Sequence, residues 1–243
     1  MHDEHAWHAV GDGPPLLVLH AFGTDGHVAH HAFEPALPDG LARRRIYLDL
    51  PGCGDAQPTA EATSEAVLAS VLAFADERLG AGPIDLAGHS YGGYLAAAIA
   101  RRHPERIGAL LLVCPGVRIR PADRDVPHDG LPTPPEAQRL LDGLHGRHEP
   151  YLTALRDHGY RLADEDDEGA PPFGGPTTIL AGRRDGIAGY ADQFRALARY
   201  RDATYAAVAG AGHWLPFEQP AAFRALVGDW ARRALQSVAG TGR

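Results

Sequence analysis

The chain is short of cysteine, of serine, of positive charge and of long apolar runs, and each shortage excludes something. Two cysteines in 243 residues, Cys53 and Cys114, cannot build a disulfide scaffold. Twenty-three basic residues against 31 acidic ones leave a formal net charge of −8 with histidines neutral. That balance disfavours nucleic acid or an anionic membrane as a partner. No apolar run approaches the roughly 20 residues that a membrane-spanning helix needs. The opening MHDEHAWHAV has neither the positive start nor the apolar stretch of a secretory signal. A cytoplasmic globule is therefore expected, long enough for one large domain with a sizeable core.

What is present is alternation. Short apolar runs at residues 16–20 (LLVLH), 45–50 (RIYLDL), 84–88 (IDLAG), 108–115 (GALLLVCP), 177–182 (TTILAG) and 203–210 (ATYAAVAG) read as strands. Between and after them, residues 63–80, 91–103, 191–200 and 220–235 carry apolar side chains at helical spacing, with Thr63 or Ser64 as cap of the first and Gly80 as its stop. Strands alternating with helices imply an α/β fold, a mostly parallel sheet with helices on both faces.

Residues 116–176 break the rhythm. They are rich in proline, hold two modest helical stretches at 136–146 and 150–160, and end in the acidic DEDDEGAPP, read as a solvated loop. A structureless connection of that length does not suit a compact domain, so this is expected to be a small helical cap inserted into a core formed by residues 1–115 and 177–243. Leu140, Leu141, Leu144, Tyr151, Leu152 and Leu155 could face inward from it at helical spacing.

One of the four serines stands in Gly88-His89-Ser90-Tyr91-Gly92, after a strand and before a helix. A serine at the tip of such a turn is held in a strained backbone region, and glycine two residues to either side leaves room for chains that pass closely. A serine hydroxyl needs a base, and the base needs a group that fixes its tautomer. Asp185 in LAGRRDGIAGY and His213 in AGAGHWLPFEQP follow in that order, each just past the carboxyl end of a strand. Asp192 and Asp202 compete with Asp185, but one falls inside a helical pattern and the other precedes a strand. Most of the 14 histidines are expected to be surface or core residues. His2, His5 and His8 read as a solvated tail, and His27, His30 and His31 as a polar loop or helix start. A metal site from HVAHH is disfavoured, because no carboxylate or cysteine pattern accompanies it. Asp49 and His103 read as structural.

Acyl transfer also needs donors for an oxyanion. The candidates are the backbone N–H of Tyr91, at the start of the helix after Ser90, and that of Phe22 in the loop His20-Ala21-Phe22-Gly23. Candidate pocket residues are His20, His89, Tyr151, Leu152 and Trp214.

Together LLVLHAFG, YLDLPGCGDAQP, LAGHSYGGYLA, LAGRRDG and AGHWLPFEQP resemble the α/β-hydrolase superfamily along nearly the whole chain. The resemblance implies Ser90 as nucleophile, His213 as base, Asp185 as its orienting acid, Phe22 and Tyr91 as oxyanion donors, and a small helical cap inserted after the sixth strand. It implies no cofactor and no metal. Ala21 departs from the usual glycine of the loop, Cys53 from the usual histidine of the PGHG-type turn, and the short amino-terminal segment leaves room for about one strand before LLVLH. The expected activity is serine hydrolysis of a small ester, thioester or lactone. The alternatives are cleavage of a C–C bond in a keto or dienoic acid, with Arg118, Arg120 or Arg124 as carboxylate anchor, and a non-catalytic ligand-binding protein. In each case the partner is a small molecule.

Overall fold

The computed structural model describes residues 5–164 and 169–240; His2 and residues 165–168 of the acidic run lie outside them. Seven strands form one sheet: β1 (Trp7–Val10), β2 (Pro15–Leu19), β3 (Arg44–Leu48), β4 (Ile84–His89), β5 (Ile107–Val113), β6 (Thr177–Gly182) and β7 (Ala203–Val208). Their order is β1-β3-β2-β4-β5-β6-β7, with only β1 antiparallel to its neighbour. The helices are α1 (Gly26–Phe33), α2 (Ser64–Arg78), α3 (Tyr91–Arg102), α4 (Pro135–Asp142), α5 (Glu149–Ala154), α6 (Tyr190–Arg195), α7 (Leu215–Glu218) and α8 (Pro220–Gly240). No helix among the described residues is long and apolar enough to cross a membrane.

The two-residue period of a strand divides the core in two. Leu17, Leu19, Ile46, Leu48, Leu86, Leu110 and Leu112 face α2 and α3, and their neighbours Leu16, Val18, Tyr47, Ala87, Leu111 and Val113 face α1 and α8. Both faces are covered by helices, so the central strands are apolar at nearly every position, as buried parallel strands must be. Thr63 caps α2 with its side chain, accepting the Ala66 N–H at 3.2 Å.

The helical segment between β5 and β6 follows the fifth strand among the described residues, not the sixth. Its second helix is shorter than residues 150–160: α5 stops at Ala154 and a π turn takes over through Gly159, which lies too close to the Ala62 carbonyl for any Cβ. The 191–200 helix likewise tightens into a 3₁₀ turn at Ala196–Arg199. β5 ends at Val113 because Cys114 adopts φ 43°, turning the chain out of the sheet.

Residues 160–164 are laced to α2 and α3. Ser64 Oγ donates to the Tyr160 carbonyl at 2.7 Å, and the Leu162 N–H donates to the Tyr94 hydroxyl at 2.7 Å. Arg102 pairs with both Glu65 and Asp164, and Arg101 with Asp164. Hydrogen bonds from Arg102 hold both carboxyls below their usual range, against the opposing effect of burial. A depressed folded pKa adds stability above the unfolded value, about 4 for these groups, and that stability disappears as pH falls through the folded one. Thermal melts should therefore fall more steeply below pH 5 in the wild type than in Arg102→Gln, the gap between the two curves narrowing as pH drops.

Candidate active site

The turn between β4 and α3 places Ser90 at φ 53°, ψ −111°, one of two non-glycine residues with positive φ among those described. A Cβ on Gly88 would strike the Gly92 carbonyl, and one on Gly92 would strike the Leu19 carbonyl at the end of β2. The sharp turn thus fits against the neighbouring strand only with glycine at both places. The Ser90 N–H donates to the Val113 carbonyl at 2.9 Å, and its own carbonyl accepts from Gly116 at 3.2 Å. These bonds hold the strained residue from both sides.

Ser90, Asp185 and His213 come from three strand ends and meet. His213 Nε2 lies 2.9 Å from Ser90 Oγ, and His213 Nδ1 lies 3.1 Å from each carboxylate oxygen of Asp185. Asp185 is fully buried. Its Oδ1 accepts the N–H groups of Ile187 and Ala188, each at 2.9 Å. Burial pushes this carboxyl up, but the His213 charge and the hydrogen bonds from His213, Ala188 and Ile187 outweigh it and hold the group below its usual range. An anion at this place can accept an N–H from His213 Nδ1, while Nε2 of the same ring faces the Ser90 hydroxyl.

The loop carrying His213 is held by several groups. Glu218 Oε2 accepts the Gly212 N–H at 2.6 Å, and His89 Nε2 donates to the His213 carbonyl at 2.8 Å. Burial, and then the neighbouring His213 charge, push His89 down to about 3, so His89 stays neutral. The Cys114 thiol, raised far up by burial, donates to the Gly212 carbonyl at 3.7 Å. Trp214 packs its ring on His89 and Phe217 and joins Val28 and Ala137 in a small apolar cluster that Leu140, Leu141 and Leu144 border.

The loop after β2 is a turn in which the Thr24 N–H donates to the Ala21 carbonyl at 3.1 Å. Only Gly23 in it takes a positive φ, 67°, so alanine at position 21 brings no strain. His20 is locked below: its Nδ1 donates to the Ala21 carbonyl and its Nε2 accepts the Leu50 N–H, both at 2.8 Å. The Phe22 and Tyr91 rings meet edge to face at 5.5 Å. Among the described residues neither the Phe22 nor the Tyr91 N–H meets a protein acceptor. Cys53 receives the Gly23 N–H and is pushed up to about 12 by burial and then by Asp49, so it is a neutral packing thiol.

Beside this loop a cavity of about 10 Å³ is lined by His20, Phe22, Cys53, Tyr91, Leu152 and Leu155 among others, room for about one water. Tyr151 lies instead across Gly52, with its hydroxyl 2.7 Å from Thr59. A larger cavity, about 500 Å³, opens at the far end of α3 between Arg101, Arg118, Phe173, Arg199 and Tyr200 and contains none of the three residues. Arg118 lines that remote cavity, Arg120 pairs with Asp123, and Arg124 donates to the Arg118, Ile119 and Ile187 carbonyls. None of the three arginines reaches the cavity beside Phe22. Asp192 accepts the Asp125 N–H and pairs with Arg195, away from His213, and Asp49 ties down Gly26 and Asp55.

A family model described as the alpha/beta hydrolase fold matches residues 14–147, more than half of the chain. The chain belongs to the α/β-hydrolase family. A solved α/β superfamily hydrolase from Oenococcus oeni PSU-1 superposes with TM-score 0.84 at 25% identity, over 96% of this chain and 97% of that one. A pimeloyl-(acyl-carrier protein) methyl ester esterase of Aeromonas hydrophila subsp. hydrophila is 38% identical over 106 residues, 42% of this chain and 38% of that protein. A 2-hydroxy-6-oxononadienedioate/2-hydroxy-6-oxononatrienedioate hydrolase of Burkholderia vietnamiensis is 33% identical over 144 residues, 58% of this chain and 46% of that protein. The matched stretches span less than half of either curated relative.

Two features of this α/β-hydrolase site carry no local sequence signal. Ser64 bridges the Tyr91 hydroxyl at 2.8 Å to the Tyr160 carbonyl, and the Arg147 guanidinium lies against Gly23 while pairing with Glu149. Both depend on loops more than 20 residues away in the chain, which no periodicity reveals.

Proposed function

We propose that the protein is a serine hydrolase of a small ester, thioester or lactone. The observation that carries this reading is the continuous hydrogen-bonded line from Ser90 Oγ through His213 to the buried Asp185. Ser90 Oγ attacks the acyl carbonyl while His213 Nε2 takes its proton, and the N–H groups of Phe22 and Tyr91 receive the oxyanion. His213 then protonates the leaving alcohol or thiol. It next takes a proton from water, whose attack on the acyl-enzyme restores Ser90. The start of α3 adds its dipole at Tyr91.

Residues 116–176 act as the cap, with Leu152 and Leu155 closing the acyl pocket. The partner is a small molecule and the compartment the cytoplasm, in keeping with the acidic balance and the two free buried cysteines. Hydrolysis of p-nitrophenyl esters from acetate to dodecanoate tests the reading. Turnover with a chain-length optimum, blocked by a fluorophosphonate, is expected; no turnover and no labelling would reject it. Because the cavity is so small, Leu152→Ala should move the optimum to longer chains, with about a tenfold gain in kcat/KM on the first ester beyond the wild-type optimum, the effect of one or so methylene contacts.

A second reading keeps the same three residues but cleaves a C–C bond of a keto acid. It is favoured by Arg147 at Gly23, a cation within reach of a substrate carboxylate, and by the Burkholderia relative. Fluorophosphonate labelling of Ser90 without turnover of any ester would move the assignment there.

A further inference from the structure

On the opposite face of the sheet from the Ser90 helix, strand pairing and helix packing gather histidines that the sequence scatters. In the β1–β3 ladder His8 stands directly across from Tyr47. Its ring stacks on the Tyr47 ring at 5.1 Å and 21°. His30 of α1 packs on the same buried tyrosine at 4.9 Å. The consequence is that His8 Nε2 and His30 Nδ1 face each other at 3.2 Å. His27, one turn earlier on α1 and exposed, lies nearly parallel to His30 at 6.5 Å.

Two imidazole nitrogens at that separation suit a single ion. With Zn–N bonds of about 2.0–2.1 Å, a spacing of 3.2 Å subtends an angle of about 100° at the metal, close to tetrahedral. The carboxylates nearby are committed elsewhere: Asp49 to the Gly26 and Asp55 N–H groups, Asp25 to the Val28 N–H, and Glu34 to Arg45 and Tyr47. His31 has its Nδ1 on the His27 carbonyl at 3.0 Å. The ligands left are imidazole nitrogens, a set that selects zinc, nickel or copper over magnesium and calcium.

We propose that His8 and His30 form a surface site for a divalent transition-metal ion, with His27 beside it on α1 as an outer partner. The neutral pair holds one proton on the line between its rings. The ion takes that place, the proton shifts to the far nitrogen of the ring that carried it, and water completes the coordination. Tyr47 fixes both rings before the ion arrives, the role that outer partners play at metal sites. A bound ion ties the edge strand β1, antiparallel and paired on one side only, to α1.

The test is a thermal melt of the full chain with NiCl₂, with EDTA added in a second run. At a hundredfold excess over Kd the melting temperature should rise by about 5–10 °C, the shift expected when a ligand binds only the folded state of a chain of this size. EDTA should reverse it. His8→Gln and His30→Asn each put an amide nitrogen where the facing ring nitrogen was, keeping a hydrogen bond but losing the metal ligand, and each should abolish the shift. Should either fail to fold, the exposed His27→Gln decides: its Kd for Ni²⁺ should rise at least about tenfold, the loss that even an outer-sphere partner brings. No shift in the wild type overturns the proposal. So does a shift that survives all three substitutions, which would put the ion elsewhere, for example on the buried His89, Cys114 and His213, whose ligand atoms lie within 4.8 Å of one another.

Discussion

Ser90→Ala is expected to lose about 10⁶ in kcat on the best p-nitrophenyl ester, ~8 kcal/mol of transition-state stabilisation, with KM little changed. The size of the loss follows from the order of events. In the proposed mechanism no acyl-enzyme forms without Oγ, His213 has no serine proton to take, and only the two backbone donors and substrate binding remain to assist water. The substitution leaves the turn as it is: alanine at φ 53° is as strained as serine, and the glycine contacts on either side do not involve Oγ. Melting temperature should stay within about 2 °C, which separates lost chemistry from lost fold. Undiminished turnover in this variant would remove the serine mechanism altogether.

The second large effect is at Asp185. Asp185→Asn should lower kcat by about 10⁴ with the structure intact. The reason is in the hydrogen bonds. Oδ1 already accepts from two backbone N–H groups, Ile187 and Ala188, so the asparagine carbonyl must occupy that place. Its NH₂ then faces His213 Nδ1, which can only accept from it. The ring proton is forced onto Nε2, where it points at Ser90 and can no longer receive the serine proton. The mutant should recover activity as pH rises far less than a simple change in histidine basicity would allow, because its fault is the tautomer. Equal kcat in wild type and Asp185→Asn would show that Asp185 does not orient the base.

The line from Ser90 to Asp185 was legible in the sequence because each member sits in a local pattern. Gly88 and Gly92 advertise the elbow, and Asp185 and His213 each come just after a β run. The helical segment was legible only as an interruption. Its leucines have helical spacing, but whether Leu152 faces the pocket while Leu140 packs toward Trp214 depends on how the segment lies on the body. Tyr151, expected in the pocket, crosses Gly52, whose φ of 77° opens a place for its ring. The three arginines of the 118–124 stretch are spent on their own loop or on a remote cavity, while Arg147, further along the chain, comes back to Gly23.

By itself the sequence determined strands β2 to β7, the longer helices, the mostly parallel sheet and the order of serine, acid and histidine, since these rest on periodicity and on residues adjacent in the chain; it missed β1, where His8 is a sheet residue and not part of a solvated tail, and the full extent of α1. Only the tertiary structure decided what surrounds them. The locked neutral state of His20 and His89, the lacing of residues 160–164 to Arg102 and Glu65, and the meeting of His8 with His30 over Tyr47 are contacts between residues 22 to 124 positions apart. Such pairs are set by sheet register and by the angle at which helices pack, and neither is written in any short stretch of chain.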